Sequence, residues 1–303
     1  MKARGRARRN MDGAIIVDKP EGWTSHDVVS KFRRVARAKK VGHLGTLDPI
    51  ATGVLPLVIG SATRLARFYL GGDKTYECVV RFGWATNTYD RGGEPVSEKK
   101  PVHLDADELE GLLEGFRGVF LQAPPPVSAK KIQGKRAYDL ARRNQRIELE
   151  PVKVHVYELT LIEVTGEEAR LRASCSGGTY MRSIAHELGQ ALGCGGHIRD
   201  LRRIASSEFT IAQARTIEQL ESLAEGERLV DALIPAASLL PGIPEVFVDE
   251  LAVARIRNGR DFPASPFRTE PAARYVKAVS AQGELVAIGE AVLPNVYHPV
   301  VVL

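Results

Sequence analysis

A single carboxylate lies in a predicted loop that contains several glycines and a proline. Residues 42–53 carry Asp48 between Gly45 and Gly53, and Pro49 follows the aspartate directly. Glycine permits tight turns and close approach of a ligand, and proline restricts both its own φ and the residue before it. This pattern can hold one carboxylate out of a loop for acid–base or nucleophilic chemistry. The alternative is that Asp48 caps backbone N–H groups, which is the commoner role of an aspartate in a turn.

Two further segments carry residues that suit ligand binding. Lys74 and Tyr76 open a predicted strand, where the ring of Tyr76 can stack on a base or fill the core. Residues 176–182 lead from a strand into a helix through two glycines. They place Arg182 in the first helical turn, where a guanidinium can pair with a carboxylate or phosphate, or stay solvated. Neither GxxxxGK[ST] nor GxGxxG occurs with the spacing that nucleotide binding needs.

The net charge of +5 belongs to the first ten residues. That tail holds five cations and no acid, so the remaining 293 residues hold 37 basic and 37 acidic residues. Basic residues still cluster in three segments, 31–40, 130–146 and 199–203. Such segregation favours a face that binds a polyanion, and solvated helix faces are the plainer alternative.

Composition excludes several classes of protein. No apolar run approaches the roughly 18 residues that span a bilayer, and no apolar segment follows the charged tail as in a signal peptide. The three cysteines, Cys78, Cys175 and Cys194, form no CxxC pair. We therefore expect reduced thiols, no metal site and a cytoplasmic location.

The elements that position these residues are predicted as a mixture of strands and helices. The predicted strands are 14–17, 76–82, 157–164, 167–175, 274–281, 284–292 and 296–302. One predicted helix begins at Thr24 or Ser25. The other predicted helices cover 105–116, 180–192 and 249–258. Because βαβ spacing is missing, we expect an α+β fold with a mixed sheet. Three prolines within 235–244 predict a linker, which divides the chain into a tail (1–11), a main domain (12–238) and a small β-rich domain (246–303).

Together these motifs resemble the TruB-type bacterial tRNA pseudouridine synthases. The matching segments, in chain order, are 13–20 with Gly22 and Ser25, 42–53, 74–76, Gly134 and Lys135 with Tyr138, 178–182, and 201–203. The resemblance covers about residues 12–215. Residues 256–259 and 286–290 are similar to those of PUA-type RNA-binding modules.

The resemblance implies a pseudouridine synthase catalytic domain at 12–238 and a PUA-like domain at 246–303. Such an enzyme converts the tRNA T-loop uridine at position 55 to pseudouridine without a cofactor or metal. The implied partner is the T-arm stem-loop of tRNA, and the enzyme is expected to be a monomer that needs no protein partner.

The resemblance also assigns roles. Asp48 is the implied catalytic aspartate and Arg182 the charged partner that aims it; attack at C1′, attack at C6 and a glycal-type intermediate all remain open. Tyr76 is expected to stack on the uracil. The other implied substrate contacts are Tyr180, Leu201 and His43, and the implied RNA contacts are Lys19, Lys130, Lys131, Lys135, Arg202 and Arg203. A tRNA-folding chaperone that uses the same basic face is the alternative function, and a ribonucleoprotein-guided relative that modifies ribosomal RNA is a third.

Overall fold

The computed structural model describes residues 11–127, 150–264 and 273–303, together with the backbone of 131–132 and 135–136. The strands are β1 (Gly13–Lys19), β2 (Val41–His43), β3 (Ala51–Ile59), β4 (Lys74–Phe82), β5 (Gly118–Gln122), β6 (Lys131–Ile132), β7 (Lys135–Arg136), β8 (Val152–Thr165), β9 (Glu168–Cys175), β10 (Gly196–Ser206), β11 (Phe209–Thr210), β12 (Ile234–Pro235), β13 (Glu245–Val248), β14 (Phe262–Pro263), β15 (Tyr275–Ser280), β16 (Leu285–Leu293) and β17 (Val296–Val302). Within these described ranges the α-helices are α1 (Ser25–Val35), α2 (Ala106–Glu114), α3 (Met181–Ala191), α4 (Ile217–Glu225) and α5 (Glu250–Arg257). The same ranges contain 3₁₀ helices at Gly60–Phe68, Ile211–Gln213, Leu229–Ala232 and Ala236–Ser238.

The main sheet is mixed, which confirms the predicted α+β class. Its strand order is β12-β1-β3-β10-β4-β9-β8-β5, with β2 beside β3 and β11 beside β10. Strands β3 and β10 run parallel, and the other neighbours run antiparallel. Tyr76 lies on β4, and Leu201, Arg202 and Arg203 lie on β10, in the middle of this sheet.

Strand β1 is buried on both faces, as its continuous apolar run predicts. Ile15 and Val17 belong to the core that the four helices α1 to α4 cover. Ala14 and Ile16 point to a second apolar cluster on the other face, which includes Val279 and other residues of the C-terminal sheet. The two sheets therefore share a core.

Helix α1 confirms its predicted start. Thr24 and Asp27 form a capping box, which satisfies free N–H groups of the first turn. Val28, Val29 and Phe32 are buried against the sheet. The opposite side of α1 and the turn after it are exposed and cationic, through Arg33, Arg34, Arg37, Lys39 and Lys40.

The C-terminal sheet has the order β13-β15-β16-β17-β14. In helix α5 the Asp249 side chain accepts from the Ala252 N–H at the N-terminus, and Ile256 lies in the apolar core of this sheet. The three longest strands, β15 to β17, confirm the predicted ones within a few residues.

The prediction of a linker at 235–244 is wrong in one respect, because much of this segment is packed. Strand β12 pairs with β1, and Leu239 is fully buried in the second apolar cluster. Lys277 of the C-terminal sheet donates hydrogen bonds from Nζ to the carbonyl oxygens of Ala237 and Leu239. Apolar side chains between the prolines thus make the segment a fixed connection.

Within the described ranges, no helix is long and apolar enough to cross a membrane.

Candidate active site

The loop that carries Asp48 connects β2 to β3 and is held at several points. Ser25, at the start of α1, accepts a hydrogen bond from the Leu47 N–H at 2.8 Å and donates one to the Leu47 carbonyl at 3.2 Å. Gly53, near the start of β3, has a φ of +98°, and a Cβ there would lie 2.2 Å from the Arg203 carbonyl oxygen. Only glycine fits where β3 pairs this closely with β10. The Asp48 side chain emerges from this fixed loop with 34% of its surface exposed.

Arg203 holds the same loop from inside. Its guanidinium donates to the carbonyl oxygens of Val54 at 2.8 Å and Gly45 at 3.1 Å, and the side chain is almost completely buried. The predicted RNA contact of Arg203 is therefore corrected to a structural role. A buried cation must satisfy its N–H groups locally, and here backbone carbonyl groups do so.

Lys19 receives the same correction. It is fully buried at the end of β1, and Nζ donates to the carbonyl oxygens of Pro20, Trp23 and Pro49, at 2.9, 2.6 and 3.3 Å. Burial lowers the pKa of Lys19 to about 8, and the nearby Asp48 carboxylate opposes that shift. The Lys19 side chain stabilises the turn that follows Asp48. Because it is buried, it cannot bind a phosphate on the surface.

Arg182, on the first turn of α3, is the charged partner of Asp48. Its Nε atom lies 3.0 Å from Oδ2 of Asp48, and its Nη1 atom lies 3.4 Å from Oδ2 of Asp90. The guanidinium also donates to the carbonyl oxygens of Thr88 and Val127, each at 2.8 Å. The Nε–H is not aimed at the carboxylate closely enough for a hydrogen bond, so this contact is an ion pair. The arginine is the buried member of the pair, and Asp48 is the more exposed one.

Asp90 was not identified from the sequence. It sits in a tight turn, where Oδ1 accepts hydrogen bonds from the Thr88 hydroxyl at 2.7 Å and the Gly92 N–H at 2.9 Å. Its other oxygen faces Arg182. An aspartate followed by two glycines two and three residues later indicates a turn, but nothing in that spacing points to a guanidinium about ninety residues away.

Tyr76 and Leu201 lie on the neighbouring strands β4 and β10. Both side chains are nearly buried, with exposed fractions of 9% and 7%. Burial raises the pKa of the Tyr76 phenol, Arg203 opposes that shift, and Asp48 adds to it. Tyr76 is therefore a neutral ring within electrostatic reach of Asp48. The sheet thus brings these two predicted site residues to the Asp48 loop.

Tyr180 immediately precedes α3 and is anchored by Gln122 at the end of β5. The Gln122 amide accepts from the Tyr180 N–H at 2.8 Å and donates to the Tyr180 carbonyl at 3.1 Å. Only 1% of Gln122 is exposed. The signal for Gln122 in the sequence is weak, because it consists of a polar side chain beside a proline-rich loop.

The remaining predicted residues are placed as follows. His43 lies on β2, and its Nδ1 accepts from the Gly45 N–H at 3.3 Å. Arg202 is partly exposed and its charge is paired with Asp18 at 2.7 Å, so its RNA contact stays a prediction. Lys130 lies outside the described residues, as do the side chains of Lys131 and Lys135. Within the described part of the chain, no group of His, Cys, Asp and Glu side chains could hold a metal ion.

Solved structures place the fold in the class of pseudouridine synthases. A chain in a Cbf5-Nop10-Gar1 complex matches with a TM-score of 0.72 and 27% identity over 94% of this chain and 80% of that one. A chain in an archaeal box H/ACA sRNP Nop10-Cbf5 complex shares the fold, with a TM-score of 0.71 and 24% identity over 97% and 86%.

Sequence comparisons then identify one family within this class. The TruB family pseudouridylate synthase (N terminal domain) matches residues 33–181, and the tRNA pseudouridylate synthase B C-terminal domain matches 182–241. The tRNA pseudouridine synthase B of Solibacter usitatus is 70% identical over 293 residues, which cover 97% of this chain and 100% of that protein. The one of Aquifex aeolicus is 43% identical over 252 residues, covering 82% and 86%. This chain belongs to the TruB family of tRNA pseudouridine synthases, isomerases that convert uridine in tRNA to pseudouridine.

Proposed function

We propose that this enzyme isomerises the T-loop uridine at tRNA position 55, with Asp48 as the catalytic carboxylate acting on a flipped-out nucleotide. The observation that carries this proposal is the pair of Asp48 and Arg182. A partly exposed carboxylate stands on a fixed loop and faces a buried guanidinium at 3.0 Å. Such a cation fixes the direction in which the carboxylate can approach a substrate.

The reaction needs no co-reactant, because it is an isomerisation. The bond from C1′ to N1 breaks, a bond from C1′ to C5 forms, C5 loses its proton and N1 gains one. One carboxylate can serve as nucleophile at C1′, as nucleophile at C6, or in the loss of the base through a glycal-type intermediate. All three routes require the same fixed carboxylate beside the ribose and the base.

Base flipping accounts for the aromatic residue beside the carboxylate. Extruding a base from a stacked loop costs a few kcal/mol, and stacking on an aromatic ring returns about 1–3 kcal/mol. Tyr76 is the ring on β4 next to the Asp48 loop, and its neutral phenol adds no charge to the site. Tyr180 and Leu201 complete the proposed pocket, and His43 is proposed to hold the RNA loop open.

The proposed substrate is the T-arm stem-loop of tRNA, and the proposed active form is a cytoplasmic monomer. The exposed cations of α1 and the turn after it support an RNA partner, because phosphate contacts dominate nucleic-acid affinity. A monomer would need all of its chemistry on one chain, and Asp48, Arg182 and Tyr76 do come together within this chain.

The test is conversion of a T-arm hairpin that carries one uridine, followed by nucleoside analysis. We expect Asp48→Asn to abolish pseudouridine formation and to change the Kd for tRNA by no more than a few-fold. The matched control is Asp107→Asn, which neutralises an exposed aspartate on α2, and it should convert the hairpin at the normal rate. Full conversion by Asp48→Asn would refute the assignment.

The same variant separates catalysis from tRNA folding. A tRNA-refolding assay with Asp48→Asn measures whether the enzyme promotes tRNA folding through its basic face when it cannot form pseudouridine. Refolding that persists while isomerisation is lost would show that both functions exist.

A further inference from the structure

The turn that holds Arg182 contains a residue in an unusual conformation. Tyr89 lies between Thr88 and Asp90, the two residues that face the guanidinium, and its φ is +64°. A bulky residue rarely adopts this left-handed conformation, because its Cβ approaches its own backbone. The surrounding contacts must therefore hold Tyr89 there.

Backbone contacts hold the turn on one side. The Tyr89 carbonyl accepts from the Ile198 N–H at 3.0 Å, and the Arg91 N–H donates to the Ile198 carbonyl at 2.8 Å. The Thr86 hydroxyl closes the turn through the Asp90 carbonyl at 2.7 Å. These bonds attach the turn to β10 but leave the side that faces α3 to the side chains.

On that side the ring of Tyr89 lies flat on the ring of His186. The ring centroids are 3.7 Å apart and the planes differ by 7°. His186 follows Arg182 by four residues on α3, so the two side chains lie on the same side of the helix, one turn apart. The stack therefore joins the turn to the helix that carries the guanidinium.

The chemistry of the two rings suits a packing role. The Nδ1 atom of His186 is buried and has no hydrogen-bond partner among the described residues. Burial lowers the pKa of His186, and burial together with Glu187 raises the pKa of Tyr89. Two neutral rings thus face each other, and no hydrogen bond of His186 Nδ1 explains the contact.

We propose that the stack of Tyr89 and His186 is a positioning element of the catalytic site. It holds the turn so that Thr88 and Asp90 meet Arg182, and through Arg182 it fixes Asp48. This inference rests on the proposed catalytic function of Asp48. Tyr89 and His186 act through the guanidinium and are positioning residues.

The test uses tRNA labelled with tritium at C5 of uridine, because C5 loses its hydrogen during the reaction. We expect Tyr89→Leu, which removes the ring, to lower kcat by about tenfold or more, since a small misplacement of catalytic groups can cost up to 10²-fold. The KM and the Kd for tRNA should stay within about twofold, because phosphate contacts elsewhere set affinity. Tyr89→Phe keeps the ring and is the matched control, with kcat expected to remain near that of the unmodified enzyme.

Two further variants separate positioning from folding. Tyr89→Gly removes the ring but accepts a positive φ without strain, so it should fold and still lose kcat. His186→Ala should lose kcat, and His186→Phe, which restores a ring opposite Tyr89, should recover most of it. Thermal denaturation of every variant reports whether the fold is intact.

Normal kcat in Tyr89→Gly or His186→Ala would overturn the proposal. A raised KM with unchanged kcat would also overturn it, because that result would indicate that the substituted side chain contacts the RNA. A loss of kcat that follows the loss of Tm in every variant would also overturn it. Asp48→Asn is measured in the same assay. If that variant is inactive while Tyr89→Leu is normal, the positioning role alone fails; if Asp48→Asn is active, the proposed function fails.

Discussion

The Nε atom of Arg182 lies 3.0 Å from Oδ2 of Asp48, and the two side chains differ sharply in burial. The arginine is 4% exposed, whereas the aspartate is 34% exposed. Carbonyl oxygens of Thr88 and Val127 hold the guanidinium from two other directions. A fixed cation therefore directs a carboxylate that still reaches the surface from which an RNA must approach.

Replacing Arg182 should impair catalysis more than tRNA binding. Lysine keeps the charge of Arg182 but cannot contact four acceptors at once, because its charge is a single point on a flexible stem. For Arg182→Lys we expect kcat to fall by about tenfold to a hundredfold. The Kd for tRNA should change little, since the partners of Arg182 in the protein are carboxylates and carbonyl oxygens.

Arg182→Ala adds a loss of stability to the loss of activity. It leaves the nearly buried Asp90 without its counter-charge, which typically costs about 3–5 kcal/mol. Urea unfolding measures that cost, and Arg172→Lys, on the exposed side of β9, is the control for arginine replacement. Weakened tRNA binding with unchanged turnover would contradict the prediction for activity, and an unchanged free energy of unfolding would contradict the prediction for stability.

Gln122 should control the position of Tyr180. Gln122→Leu keeps the size of the side chain but removes the acceptor of the Tyr180 N–H, whereas the Tyr180 carbonyl still accepts from the N–H groups of Ser183 and Ile184. Leaving the N–H without its acceptor costs about 1–3 kcal/mol. We expect a lower Tm and a lower kcat/KM in the tritium assay. An unchanged Tm would show that the backbone of Tyr180 finds other partners.

Lys19 should make stability depend on pH above neutrality. Burial lowers the pKa of Lys19 from 10.5 to about 8, so between these values the unfolded chain binds more protons than the folded one. Folding stability must then rise with pH across this window, and below pH 8 the full cost of the buried charge is present.

The measurement compares the unmodified enzyme with Lys19→Met by urea unfolding at pH 7, 8, 9 and 10. Relative to the variant, the free energy of unfolding of the unmodified enzyme should rise by no more than about 3 kcal/mol in total. Parallel pH profiles for the two proteins would show that Lys19 does not titrate in this window.

The exposed cations of α1 should contribute to the salt dependence of tRNA binding. Each phosphate contact contributes a slope of about −0.7 to −0.9 to the plot of log K against log salt. Arg33→Ala and Arg34→Ala should each make the slope shallower by about that amount while kcat stays normal. Arg228→Ala is the control, because its charge is already paired with Asp231. Identical slopes for all three variants would remove this face from the RNA interface.

Local signals predicted most of the secondary structure. The capping residue of α1, the alternation of β4 and the glycine turn between β8 and β9 each depend on neighbours within a few residues, and the structure confirms them. The packing of the segment 235–244 was not predicted, because whether Leu239 is buried depends on strands from both ends of the chain.

The amino-acid sequence alone determined the family resemblance and the candidate residues Asp48, Arg182 and Tyr76, because side-chain type and spacing are local properties. Tertiary structure alone decided which charges are buried. Lys19 and Arg203 look like surface cations in the sequence, yet the fold turns them inward onto backbone carbonyl oxygens. It also brought Asp90 and the ring of Tyr89 to the helix of Arg182, since these contacts join residues about ninety positions apart and only packing of the sheet and helix creates them.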